Sequence, residues 1–174
     1  WSSRRTSIWV RGGSAPGGQT RTPYARARTP CGSASGTGAA VGASLAAVGV
    51  GTETDGSIVC PSSANGLVGV KPTVGLVSRS GIVPISASQD TAGPMARTVA
   101  DAAALLAAMT GVDPADPATA ASRGRVHDYA ASLEADGLRG ARIGVARAKL
   151  FGNSEGVDRL MEEAVSEMRR RGAV

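Results

Sequence analysis

One stretch of this chain carries apolar residues at clear helical spacing. In 156–171, Val157, Leu160, Met161, Ala164, Val165 and Met168 fall on one face of a 3.6-residue helix. Arg169, Arg170 and Arg171 close it where cations favour the helix dipole, and Gly172 is a C-cap signal. A second helix begins at Thr98 and runs through Met109. Its Asp101 puts a carboxylate in the first turn, and Gly111 ends it. From Thr37 to Val48 small residues predict a third helix, in which Gly38 and Gly42 imply close packing rather than strong helix propensity. Short apolar runs predict strands at Val48–Thr52, Leu67–Val70, Gly75–Val77 and Ala141–Ala146. Arg125–Ala135 reads as helix, and Asp113–Ala121, with Pro114 and Pro117, as a linker. Residues 1–30, rich in Ser, Arg, Gly and Pro, show no period and read as loop. Alternating strand and helix predict an α/β layered fold.

Composition adjusts this picture. Aromatic residues are only 3% of the 174, so alanine, valine and glycine must build the core, which suits close helix–sheet packing. The net charge of +5 comes almost wholly from arginine, since Lys71 and Lys149 are the only lysines. Six arginines precede the first acidic residue, Glu53, but no stacking aromatics or nucleic-acid motif accompany them, so no nucleic-acid partner is expected. No apolar run approaches the roughly 20 residues that span a bilayer, and no membrane partner is expected. Cys31 and Cys60 lack metal-ligand spacing. They read as small buried thiols in a reducing, cytoplasmic setting, with a disulfide as the alternative. No metal or cofactor is implied.

The candidate chemistry lies between Cys31 and Thr73. Ser33 and Ser57 each sit in a glycine-rich turn, where backbone N–H groups can approach a ligand closely. A serine so placed can be a nucleophile with oxyanion donors beside it. Pro61-Ser62-Ser63 reads as a plain turn, and His127, followed by Asp128, as a surface residue.

Three segments in order resemble the amidase signature family of serine hydrolases. GSASGTGAAV at 32–41 is similar to its first Gly-Ser element. GTETDGSI at 51–58 is followed by GLVGVKPT at 66–73, and SGIVPISASQDTAGPMARTVADAAALL occupies 80–106. The wording is most like bacterial and plant amidases related to peptide amidase, and is also similar to the glutaminase subunit of tRNA-dependent amidotransferases. The resemblance implies an α/β/α layered fold around a mixed sheet, incomplete in this chain. It implies amide C–N hydrolysis by a serine–cis-serine–lysine triad acting on a small-molecule or peptide amide. Ser57 matches the nucleophile and Ser33 the cis-serine that relays protons. The backbone N–H groups of Thr54, Asp55, Gly56 and Ser57 match the oxyanion hole. Gln89-Asp90-Thr91 matches a structural loop that also shapes the substrate cleft.

The departures from the family pattern carry equal weight. The family's lysine base lies upstream of the cis-serine, and this chain has no lysine before Lys71. Lys71 matches the Lys-Pro-Thr lysine, which is not the base. Asp55 stands where many relatives have glycine and reads as a specificity feature. The expected organisation is therefore an unplaced segment 1–16 and a partial amidase-signature domain at 17–174. Within that domain the core motifs occupy 31–106, a linker 112–124 and a following α/β segment 125–174. A helix leading at Val174 to a strand that does not follow reads as a truncated unit. An inactive amidase fragment is expected, with an amidotransferase glutaminase subunit or a non-catalytic remnant as alternatives.

Overall fold

The sheet at the centre of this chain is organised by a strand that the hydrophobic pattern conceals. Thr91–Ala96, here β5, is buried along its whole length in the computed structural model, which describes residues 12–14 and 17–174. The rest of segment 1–16 lies outside the described residues. β5 pairs antiparallel with β3 (Val48–Glu53) on one side, in the register Gly51↔Gly93, and with β4 (Val68–Gly69) on the other. The order is β3-β5-β4. A separate two-stranded antiparallel ribbon joins β1 (Gly13–Ser14) to β2 (Gly18–Gln19).

TAGPMA does not alternate, and its Pro94 argues against a central strand because proline has no ladder N–H to give. The strand tolerates it because Pro94 contributes its carbonyl, which accepts the Val70 N–H at 3.0 Å. Gly93 is equally constrained: a Cβ there would lie 2.0 Å from the Val70 carbonyl oxygen. Thr91, expected within a loop, opens this strand.

The chain divides into two compact units, one ending at Ala131 and the other spanning Ser132–Val174. In the first, α1 (Ser35–Gly42) packs on α2 (Val59–Ala64). A Cβ on Gly38 would come within 3.3 Å of Pro61, and one on Gly42 within 3.3 Å of the Asn65 carbonyl. The small-residue pattern therefore does encode close approach. α1 stops earlier than Val48 because the chain turns at Ser44, which holds a positive φ of 59°. α2 replaces the turn expected at Pro61-Ser62-Ser63. Proline is acceptable there because Pro61 lies in the first turn, where N–H groups have no helical acceptor.

α3 (Val99–Met109) has the expected cap. Thr98 Oγ1 accepts the Asp101 N–H at 3.0 Å and donates to the Asp101 carboxylate at 2.8 Å. The α3 residue Leu106 is buried with Val77 and Ala92 in a core cluster flanked by Val70, Ile82 and Met109. The strand expected at Gly75–Val77 is reduced to one bridge, Val77↔Thr110, because 73–76 is a turn closed by Leu76 N–H on the Thr73 carbonyl. Within the expected linker, Pro117–Ser122 is a 3-10 helix capped by Asp116. The helix expected at Arg125–Ala135 is only a 3-10 turn, Ala130–Ser132. Asp128 caps it, and Val126 and Leu133 remain exposed, so no packing supports a longer helix.

The second unit holds α4 (Arg147–Leu150) and α5 (Glu155–Arg170). Residues 141–146 do not form the expected strand. Val174 bonds to Ala141 and Ile143 in the slanted pattern of a parallel pair, and the pairing extends no further along 141–146. On α5 only Val165 is buried, while Val157, Leu160 and Met161 are exposed. Among the described residues no helix is long and apolar enough to cross a membrane.

Candidate active site

β3 delivers the chain into a turn that leads to α2, and Ser57 lies in that turn. Two features force its shape. The first is Glu53, the last residue of β3, which is buried. Its Oε1 accepts the Gly56 N–H at 2.8 Å, and its Oε2 accepts the N–H groups of Ile58 at 2.7 Å and Val59 at 3.0 Å. A carboxylate is suited to this because its two oxygens accept several N–H groups and donate none. The second is Ile58, fully buried beside Ser57. Its side chain occupies a slot over all three strands. A Cβ on Gly51, Gly69 or Gly93 would come within 3.1 Å of an Ile58 carbon. One glycine from each strand makes the room, and the seated isoleucine holds the turn down.

Ser33 precedes α1, and the Gly32–Ser33 peptide bond is cis. Two links bring its turn to that of Ser57. The Ala34 N–H donates to the Ser57 carbonyl at 3.1 Å. Cys31 and Cys60 are joined in a disulfide with a Cα–Cα distance of 5.8 Å. This corrects the expectation of two buried thiols, since Cys31 is half-buried and Cys60 exposed. The expectation of a reducing, cytoplasmic setting rested on unpaired cysteines and loses that support. Sequence spacing concealed the pair because the two cysteines stand 29 positions apart. Buried Asn65 adds a further tie, donating from Nδ2 to the carbonyls of Pro30 at 3.3 Å and Pro61 at 2.7 Å.

Ser57 lines a small cavity of about 20 Å³ with Thr52, Glu53, Thr54, Asp90 and the apolar side chains of Ile82, Val83 and Ile85. Val83 and Ile85 are largely exposed. Of the four backbone N–H groups expected to face an oxyanion, that of Gly56 is committed to Glu53. Asp55 is exposed. The Lys71 Nζ donates to the neighbouring Pro72 carbonyl at 3.2 Å, and exposed His127 stands edge-on to Tyr129. Glu53 and Ile58 escaped notice in the sequence, although both lie within four residues of Ser57.

The loop that closes the cavity is pinned from two sides. Asp90 accepts from Thr54 Oγ1 and from the N–H groups of Ile85 and Ser86. The Thr54 hydroxyl bond, helped by the two amides, holds the Asp90 carboxyl below its usual range against the opposing effect of burial. Further along, Arg79 grips Asp116 with two parallel bonds, from Nε at 2.8 Å and Nη2 at 2.7 Å, and also donates to the Ala87 carbonyl. That pairing holds Asp116 far below the usual carboxylate range.

Comparison with known proteins bears on this arrangement directly. The family model described as Amidase matches residues 5–174. A protein of Arabidopsis thaliana described as a probable amidase is 42% identical over all of this chain, which covers 33% of the plant protein. A glutamyl-tRNA(Gln) amidotransferase subunit from Anaeromyxobacter is 46% identical over 87% of this chain, which covers 30% of the Anaeromyxobacter protein. The crystal structure of native peptide amidase from Stenotrophomonas maltophilia superposes with a TM-score of 0.86 at 60% identity, over 95% of this chain and 34% of that enzyme. The chain thus spans about a third of the length of the relatives it matches.

Proposed function

The chain belongs to the amidase family, and on that premise we propose that it carries the two serines of a site that hydrolyses a carboxamide through a serine acyl-enzyme. The observation that carries this reading is the bond from the Ala34 N–H to the Ser57 carbonyl, which sets the Ser33 and Ser57 turns side by side.

In this reading the Ser57 Oγ attacks the amide carbonyl. The Ser33 hydroxyl passes the released proton toward a lysine base and returns one to the departing amine. The carbonyl oxygen, as it gains charge, is met by the N–H groups of Thr54, Asp55 and Ser57. Gly56, the fourth expected donor, instead holds the turn through Glu53. Such preorganised donors contribute roughly 3–4 kcal/mol apiece to the transition state. A serine hydroxyl is a weak nucleophile until a base takes its proton, and the family's lysine base has no counterpart among these 174 residues. By itself, therefore, this chain is expected to hydrolyse no amide. The substrate is a small or peptide carboxamide, in keeping with the peptide amidase relative, and exposed Asp55 contributes to its selection.

The test is labelling of the full-length protein with a fluorophosphonate, followed by peptide mass spectrometry. Label is expected on Ser57. An active enzyme labelled at Ser33 or elsewhere, with Ser57 unmodified, would overturn the assignment.

A further inference from the structure

The geometry points to Asp90 as a positioning residue that orients the oxyanion turn by holding the side chain of Thr54, an inference that rests on the amidase reading above. Asp90 is buried at the entrance to β5, 36 residues from Thr54 in sequence. Its two oxygens do separate work. Oδ1 accepts the hydroxyl of Thr54, which lies in the turn carrying Ser57. Oδ2 accepts the N–H groups of Ile85 at 2.8 Å and Ser86 at 2.9 Å, in the loop whose Ile82, Val83 and Ile85 line the cavity with Ser57. One carboxylate therefore fixes the floor and the wall of the same cavity in a single geometry.

The physical consequence falls on the backbone. A threonine whose hydroxyl is committed to a buried carboxylate has one side-chain rotamer, and its Cα and the peptide that follows are held with it. The N–H groups proposed to meet the oxyanion belong to Thr54 and to the residues just after it. Donors of this kind act through being aimed before the charge develops, so a turn that drifts loses rate rather than substrate affinity. Ionised Asp90 suits the task because it can only accept, which settles the direction of all three bonds. Glu53 shapes the same turn from inside through backbone bonds, whereas Asp90 reaches it through a side chain and couples it to the loop.

The variants Asp90→Ala, Asp90→Asn, Thr54→Val and the Asp90→Ala/Thr54→Val pair separate this role from simple support of the loop. Each would be made in the full-length protein, with Ser57→Ala as the blank. kcat and KM would be measured on an N-acylated amino-acid amide, together with hydrogen exchange of a peptide covering 54–59. Asp90→Ala and Thr54→Val are expected to lower kcat, by up to roughly 10²-fold, with KM within about threefold. The pair should be no worse than Asp90→Ala alone, as for residues acting as a unit. Asp90→Asn should recover most of kcat, because its oxygen can accept from Ile85 and Ser86 while its NH2 donates to Thr54 Oγ1. Exchange at 54–59 should quicken in Asp90→Ala and Thr54→Val but not in Asp90→Asn. Thr54→Val leaves the loop bonds intact, so wild-type kcat and wild-type exchange in that variant would overturn the inference, even if Asp90→Ala fails to fold. If the unmodified protein hydrolyses no amide, or Ser57→Ala hydrolyses as well as it does, the amidase reading falls. The exchange of 54–59 in Thr54→Val still decides the case of Asp90.

Discussion

Cys31 and Cys60 are covalently joined across 29 residues of chain, and the bond ties the turn that carries Ser33 to the helix that follows Ser57. Closing a loop of this size removes conformational freedom mainly from the unfolded chain, a contribution of about 3.5 kcal/mol. Reduction with dithiothreitol is therefore expected to lower the urea midpoint, and a Cys31→Ser/Cys60→Ser variant should match the reduced protein. Coincident urea curves for the oxidised, reduced and doubly substituted forms would show that the bond adds no stability.

Glu53 is expected to be intolerant of even its closest isostere. Three backbone N–H groups converge on the carboxylate. In Glu53→Gln the side-chain NH2 must face either Gly56 or the Ile58 and Val59 pair, setting donor against donor. The loss should be about 3 kcal/mol or more, since bonds to a charged group contribute about 1.5–3 kcal/mol each. Urea unfolding measures it, and a Glu53→Gln protein within 1 kcal/mol of wild type, on the order of a neutral surface change, would count against the clamp.

Acid should release the grip of Arg79 on Asp116. The carboxyl of Asp116 is held below its usual value, first by the Arg79 hydrogen bond and then, against the cost of burial, by the N–H groups of Arg79 and Ala118. A depressed folded-state pKa means that the stabilisation is fully present above the unfolded value of about 3.9 and is lost as pH falls below it. Stability measured by urea from pH 6 downward should fall below about pH 4, and Asp116→Asn should flatten part of that slope. Arg79→Met should lower stability near neutral pH, because the Asp116 carboxylate then keeps only its backbone N–H partners. An Asp116→Asn protein with the wild-type pH slope would remove Asp116 from the acid response.

Ser33→Ala should cripple turnover while sparing the fold. A hydroxyl that moves protons is worth roughly 10²–10⁴-fold in rate. A small, half-buried side chain in a turn should change stability by less than about 1 kcal/mol. kcat and thermal unfolding of the full-length variant give the two readings. Near-normal kcat would take Ser33 out of the mechanism.

Reading the chain without its structure reaches some features and misses others for one reason. The cap at Thr98 and Asp101, the periodic stripe of 156–171, the close approach encoded by Gly38 and Gly42, and the two glycine-rich serine turns are all legible because each signal lies within a few residues. The family itself was legible from three ordered motifs, and the comparisons agree with it. β5 was not legible, because Gly93 and Pro94 are poor strand formers that become acceptable only when β3 and β4 lie on either side. The helix expected at Arg125–Ala135 failed in the opposite direction, since local propensity found no surface to pack against. Likewise the Cys31–Cys60 bond, the slot of Gly51, Gly69 and Gly93 around Ile58, and the reach of Asp90 to Thr54 join residues that chain order keeps apart. The sequence by itself determined which residues can form turns and caps, and where two serines sit in glycine-rich turns. Tertiary structure decided which of them meet, because buried polar groups and close-packed side chains are satisfied only by partners that the folded chain brings into contact.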